Sequence, residues 1–159
     1  MKVFAIDPGD MQSGVVICEQ IPEFCILDHG VWENREVLQA LQSSDSDHLA
    51  VEMIQSYGMT AGQSIFQTCV WAGRFIESFT SGYEDCYTLI TRPTIKKHIT
   101  GRANTKDTDV RSAIIKRFGG KSLAVGTKKQ QGPLYGLKGD AWSALAVALT
   151  YYETIYVKS

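Results

Sequence analysis

Lys2-Val3-Phe4-Ala5-Ile6-Asp7-Pro8-Gly9-Asp10, followed at once by Met11-Gln12-Ser13-Gly14-Val15-Val16-Ile17, is the stretch around which the chain is organised. An apolar run ends in a carboxylate, a Pro-Gly turn intervenes, and a second apolar run begins within a few residues. The pattern predicts two paired strands, residues 2–7 and 13–19, with Asp7 closing the first. Asp before Pro-Gly is ordinarily a turn residue, because its side chain bonds the backbone of the turn it opens. A chemical role for Asp7 requires further carboxylates that the fold can bring to it.

A chain of 159 residues holds one domain, 1–159, with a sizeable core. Hydrophobic residues at 44% and charged residues at 21% set it among globular chains and apart from disordered ones. The first apolar run is interrupted too early, at Asp7, to serve as a secretory signal. No later run approaches the roughly 20 apolar residues of a membrane helix. Cys18, Cys25, Cys69 and Cys86 make no CxxC pair and no zinc spacing, so they are expected to be buried free thiols in a reducing cytoplasm.

The net charge of -1 argues by itself against a nucleic-acid partner, but it hides an asymmetry. From Arg92 to Gly139 twelve Lys and Arg face only Asp107 and Asp109, a local charge of +10, which leaves -11 for the rest. Such a division fits a polyanion footprint on an otherwise acidic molecule, and equally a series of solvated helix faces.

Along the chain, Phe24 to Val31 extends the first two strands into a meander, and Glu33 to Gln42 carries Val37, Leu38 and Leu41 at helical spacing. Leu49-Ala50-Val51-Glu52-Met53-Ile54 is a short apolar strand broken by one acid. A carboxylate among buried neighbours must be partnered, protonated or liganded. Gly62 to Phe79 reads as a long helix whose apolar residues cover more than one stripe. It is either the core helix of a monomer or a helix shared between the sheet and a second subunit. Cys86 to Thr91 is a strand, and Thr94–Ile99 and Asp107–Phe118 are basic helices. Gly119 to Gly139, with six glycines and four lysines, reads as a mobile basic loop with few apolar anchors. Asp140 to Tyr152 is the terminal helix.

Meander, helix, strand, helix, strand and terminal helix form an α/β order in which the first and fourth strands can lie side by side. Asp7 and Glu52 would then meet at one sheet edge, with Asp140 brought over them by the last helix. Alternatively Asp140 serves the helix N-terminus, Asp7 the turn, and Glu52 points outward. Three crowded carboxylates repel. Divalent cations relieve that repulsion, oxygen ligands select Mg²⁺ or Mn²⁺, and two such ions about 3.5–4 Å apart can hydrolyse a phosphodiester.

Taken together, Ile6-Asp7-Pro8-Gly9 with Ser13-Gly14, Val51-Glu52 before the long helix, Lys96 and Lys106 flanking Gly101, and Asp140-Ala141-Trp142-Ser143-Ala144-Leu145-Ala146 resemble the RuvC-type Holliday junction resolvases. The likeness spans nearly the whole chain and suggests a phage or prophage branch. It implies a ribonuclease H-like α/β fold, with a mixed five-stranded sheet, three strands in an antiparallel meander plus parallel strands, flanked by helices. It implies a cytoplasmic homodimer, in a bacterium or a phage-infected host, that nicks two opposed strands of a four-way DNA junction in recombination or repair. The 62–79 helix would form the interface. The implied cofactor is Mg²⁺, with Mn²⁺ able to substitute and no organic cofactor. Asp7, Glu52 and Asp140 would be metal ligands, and Lys96 and Lys106 would lie near the scissile phosphate or DNA backbone. Ser143 stands where the family usually has a second acid one helical turn on, and Asp10 could substitute for it or simply cap the turn. Tyr57 is the counterpart of an aromatic that unstacks the junction, or else a plain surface Tyr. Lys97, Arg102, Arg111, Lys128, Lys129 and Lys138 would meet DNA. Competing readings are a looser nuclease on flaps or RNA–DNA hybrids, a junction-binding protein with weak catalysis, and a nucleotide-binding domain like those of actin-like ATPases.

Overall fold

Two apolar sets of opposite parity run through the first strand, and each builds one side of the molecule. In the computed structural model, which describes residues 1–55, 62–80 and 86–156, β1 (Lys2–Asp7) lies in the middle of the sheet. It pairs antiparallel with β2 (Gln12–Gln20), which pairs antiparallel with β3 (Phe24–Glu33). On its other edge β1 runs parallel to β4 (His48–Met53), and β4 parallel to β5 (Tyr87–Thr91), giving the order β3-β2-β1-β4-β5. The expected meander plus parallel strands is the observed topology.

Side chains alternate across a strand. Val3 and Ala5 join Val16, Cys18, Ala50 and Ile90 in one core; Phe4 and Ile6 join Val15, Leu49 and Val51 in the other. The first core is covered by α6 (Ala141–Thr154), a helix buried around nearly its whole circumference between the sheet and an outer layer. That outer layer is α3 (Arg92–Thr100) and α4 (Asp107–Arg117), which add Ile95, Ile99, Val110 and Ile114. The second core is closed by α1 (Asn34–Gln42) and α2 (Gln63–Thr80) through Val37, Leu41 and Phe75. The Tyr152 hydroxyl lies 2.9 Å from the Met1 carbonyl and 3.1 Å from that of Cys18, tying α6 to the far ends of β1 and β2.

Three expectations need correction. The segment from Gly119 to Gly139 is not an unanchored loop: it holds the short helix α5 (Lys121–Ala124), and Ala124, Leu134 and Leu137 are buried. A bridge between Gly126 and Gln131 closes a tight turn at Thr127–Gln130, and the Trp142 indole donates to the Leu137 carbonyl at 3.1 Å. Of the four free cysteines only Cys18 is buried, while Cys25 and Cys69 are exposed. Burial pushes the Cys18 thiol up to about 12, which leaves it inert. Finally, α3 starts at Arg92, two residues before the expected point, with Pro93 in its first turn. Among the described residues no helix is long and apolar enough to cross a membrane.

Candidate active site

Strand parity puts two acids on the same side of the sheet. Asp7 follows Val3 and Ala5 at period two, and Glu52 follows Ala50, so both side chains face the layer of α6. Ile6 pairs with Val51 in the parallel ladder, and Asp7 and Glu52 lie one step further along it. Their side chains are only 11% and 7% exposed.

The turn after Asp7 does not use its carboxylate. Instead the Gly9 amide donates to Ser13 Oγ at 3.2 Å, the Ser13 hydroxyl donates to Asn34 Oδ1 at 2.7 Å, and Asn34 Nδ2 donates back to the Gly9 carbonyl at 3.0 Å. Ser13 and Asn34 are both buried. They hold the Pro-Gly turn closed and leave Asp7 free for other work. Asn34, the first residue of α1, was not singled out in the sequence; its signal, a lone Asn where β3 gives way to a helix, is weak.

Asp140 stands at the N-cap of α6, yet its side chain caps nothing. Gly14 explains how it comes so near. Gly14 is the cross-strand partner of Asp7, and a Cβ there would lie 2.1 Å from the Asp140 carbonyl oxygen. Only glycine lets the start of α6 settle against this pair of strands. Asp140 is close enough that its charge raises the Asp7 carboxyl, and Ser143, one turn further, is close enough to lower it slightly.

Arg92 is the central residue that the sequence did not mark as part of the site. It begins α3 immediately after β5, whose Thr91 pairs with Met53, and so enters beside the acid-bearing strand ends. Its Nε donates to Glu52 Oε1 at 2.5 Å, one terminal nitrogen lies 3.6 Å from Asp7 Oδ1, and the other is 3.3 Å from Asp107 Oδ2. Burial nevertheless pushes the Asp7 carboxyl up to about 7, with the Glu52 charge as the next cause, and Arg92 only partly counters them. Burial raises Glu52 as well, against the pull of Arg92. Arg92 does not fully offset the burial of the two carboxyls.

The Arg92–Glu52 ion pair also borders two adjoining recesses, one containing Asp140, Ser143, Lys96 and Arg111, the other Asp7, Pro8 and Gln55. Among the described residues, no three His, Cys, Asp or Glu side chains stand together as a set able to hold a metal ion. The donors nevertheless suit a hard cation in kind, since all are oxygens, and in charge, since the Asp7 environment favours an added positive ion.

Lys96 points into the first recess, with Nζ 2.7 Å from the Thr105 carbonyl and 3.0 Å from Asp107. Lys106 is exposed at the N-cap of α4 and lines neither recess. Arg111 stacks its guanidinium 4.6 Å over the Trp142 ring, at the rim of the recess. Lys97, Arg102, Lys128, Lys129 and Lys138 are exposed, with Lys128 and Lys129 at the tip of the Thr127–Gln130 turn. Arg117, by contrast, is held by Glu153 at 2.8 Å and by the carbonyls of His98 and Ile99, so part of the basic segment is structural. Asp10 is exposed on the bend after the turn. Tyr57 lies outside the described residues.

No protein-family model matches the sequence, and no curated protein does. Solved structures do match. The structure of Thermus thermophilus RuvC superposes with a TM-score of 0.69 at 17% identity, covering 99% of this chain and 97% of that one. T. thermophilus RuvC in complex with a Holliday junction substrate gives 0.62 at 16% identity, over 99% and 95% of the two chains. The fowlpox virus Holliday junction resolvase gives 0.51 at 13% identity, over 98% and 99%. With the sheet order, the helix placement and a superposition over nearly the full length of both chains, the fold of this protein is the ribonuclease H-like fold of RuvC.

Proposed function

We propose that this protein is a Mg²⁺-dependent, structure-selective endonuclease that hydrolyses phosphodiesters in four-way and related branched DNA as a homodimer. The observation that carries the reading is that Asp7 lies beside Glu52 at one end of a RuvC-like sheet, with Asp140 near enough for its charge to act on Asp7. Support for the substrate comes from the matching RuvC, solved in complex with a Holliday junction substrate. Asp7, Glu52 and Asp140 would hold Mg²⁺, which when bound supplies an activated water and charge stabilisation at the phosphate. Ser143, near Asp7, leaves the site with one acid fewer than the resolvase pattern. Lys96, braced by Asp107 and Thr105, presents an ammonium to a phosphate entering the recess. Exposed Lys97, Arg102, Lys128, Lys129 and Lys138 would follow the DNA arms, contributing about -0.9 to the log–log salt slope for each phosphate neutralised.

The deciding experiment is cleavage of a strand-labelled synthetic four-way junction with Mg²⁺, with EDTA, and by Asp7→Asn. Paired nicks are expected from the wild type with Mg²⁺, none with EDTA, and a loss of about three orders of magnitude in Asp7→Asn, the scale of several kcal/mol removed from transition-state stabilisation. Unimpaired cutting by Asp7→Asn would sink the mechanism. A second reading has its own support in Ser143 and in the Arg92 ion pairs that already engage Asp7 and Glu52: a protein that binds junctions and cuts them feebly. It is distinguished by tight junction binding, with or without metal, and no nicks.

A further inference from the structure

Arg92 does more than balance charge. With Glu52 it lines both the recess of Asp7 and the recess of Asp140, at the place where the two adjoin. Its guanidinium is fixed to Glu52 at 2.5 Å and reaches Asp7 at 3.6 Å, yet the side chain is 41% exposed, so it has an open way out. Its exit is marked by Asp107, two-thirds exposed, which already lies 3.3 Å from Arg92 and is also held by Lys96 at 3.0 Å. Nothing in α3 favours its present position, since it occupies the first turn of a helix, where a positive charge opposes the helix dipole, and no acid shares that turn. The Asp7, Glu52 and Asp107 carboxylates hold it there, the first two from the interior and the third from the surface.

We infer that Arg92 is a built-in counter-ion that competes with a divalent cation for Asp7 and Glu52, and that cation entry swings it outward toward Asp107, joining the two recesses into one. The inference deepens the nuclease reading and rests on it for the identity of the incoming ion. A monovalent guanidinium can be displaced by a doubly charged ion that reaches the same oxygens, and its departure brings no unpaired charge into the interior, because Asp107 receives it at the surface. Arg92 is then a positioning residue for the acids of the metal-free protein and not itself a metal ligand. Released, it faces the same side as Lys96, where a phosphate would lie.

The test uses Mn²⁺ and the full chain without DNA. Free Mn²⁺ is titrated by electron paramagnetic resonance against wild type, Arg92→Gln and Arg92→Gln/Glu52→Gln. Arg92→Gln is expected to bind about tenfold more tightly, because a like charge has left the site, and the double variant to lose the gain. In the wild type, saturating Mn²⁺ is expected to speed phenylglyoxal modification of Arg92, read by peptide mass, with exposed Arg102 as the unchanging reference; this needs no variant to fold. Equal or weaker Mn²⁺ binding by Arg92→Gln overturns the inference, as does absence of Mn²⁺ binding by either protein. An Arg92 modification rate indifferent to Mn²⁺ overturns it too. Junction cleavage by the wild type is scored separately. Mg²⁺-dependent nicking without tighter binding by Arg92→Gln removes the counter-ion role alone, whereas the binding gain without nicking removes the nuclease reading alone.

Discussion

Asp7 is a buried carboxyl held well above its ordinary range. Burial and the neighbouring Glu52 charge raise its carboxyl from the ordinary 3.8 to about 7, even with Arg92 nearby. The sign of the consequence follows from proton counting. Between 3.8 and about 7 the folded protein keeps a proton that the unfolded chain has lost, so metal-free stability falls as pH rises through that window and levels off above it. Glu52, also raised, adds a contribution of the same sign. Asp7→Asn should flatten part of this slope and, in EDTA at pH 8, stabilise the fold by about 1–3 kcal/mol, because a buried charge is gone. Mg²⁺ should reverse the ranking, since ligand binding stabilises only the wild type, by RT ln(1 + [Mg²⁺]/Kd). Thermal unfolding across pH, with and without Mg²⁺, checks both. An Asp7→Asn variant less stable than wild type in EDTA at pH 8 would show that Arg92 already satisfies the carboxylate.

Among the elements, the β1–β2 turn and the start of α6 form one assembly. Ser13 and Asn34 lock the turn, and Gly14 admits the Asp140 backbone to the strand pair. Gly14→Ala would set a Cβ 2.1 Å from the Asp140 carbonyl oxygen, so the helix start must retreat. The expected cost is about 1–3 kcal/mol of stability from overpacking, and about a hundredfold of any junction cleavage if the retreat reaches 1 Å. Unfolding and cleavage measured on the same preparation separate the two effects, and unchanged values for both would mean the contact relaxes freely. The strands here were legible in the sequence because each is a short apolar run bounded by turn residues, and the isolated acids stood out against those runs. Glu52 was legible for the same reason, being one carboxylate among residues buried on both faces. Arg92 was not: it looked like any other cation of a basic segment, and only the β4–β5 register carries it to the acids. The order within Gly119–Gly139 was hidden as well, since its anchors Ala124, Leu134 and Leu137 are scattered with no helical or strand period.

For the molecule as a whole, the open question in the sequence was where the second apolar stripe of α2 goes. One side of the helix, through Phe75 with Ile76 and Phe79, closes the second core. On the other, Phe66 is 62% and Val70 58% exposed, one turn apart, with Ile65 and Cys69 exposed beside them and open space over Gly73. A stripe of that kind suits an isologous contact, in which a second copy lays the same helix against it. In such a contact each substitution acts twice. Phe66→Ala should therefore weaken a dimer by about 3 kcal/mol or more, roughly two orders of magnitude in Kd, and leave the fold intact because the side chain lies outside the core. Sedimentation equilibrium at micromolar concentration would show a wild-type dimer and a Phe66→Ala, Val70→Ala monomer. The proposed nuclease would then make single nicks in a four-way junction as the monomeric variant and paired nicks as the wild-type dimer. A wild type that sediments as a monomer would assign the stripe to some other partner, and the nicks would then have to be made one at a time.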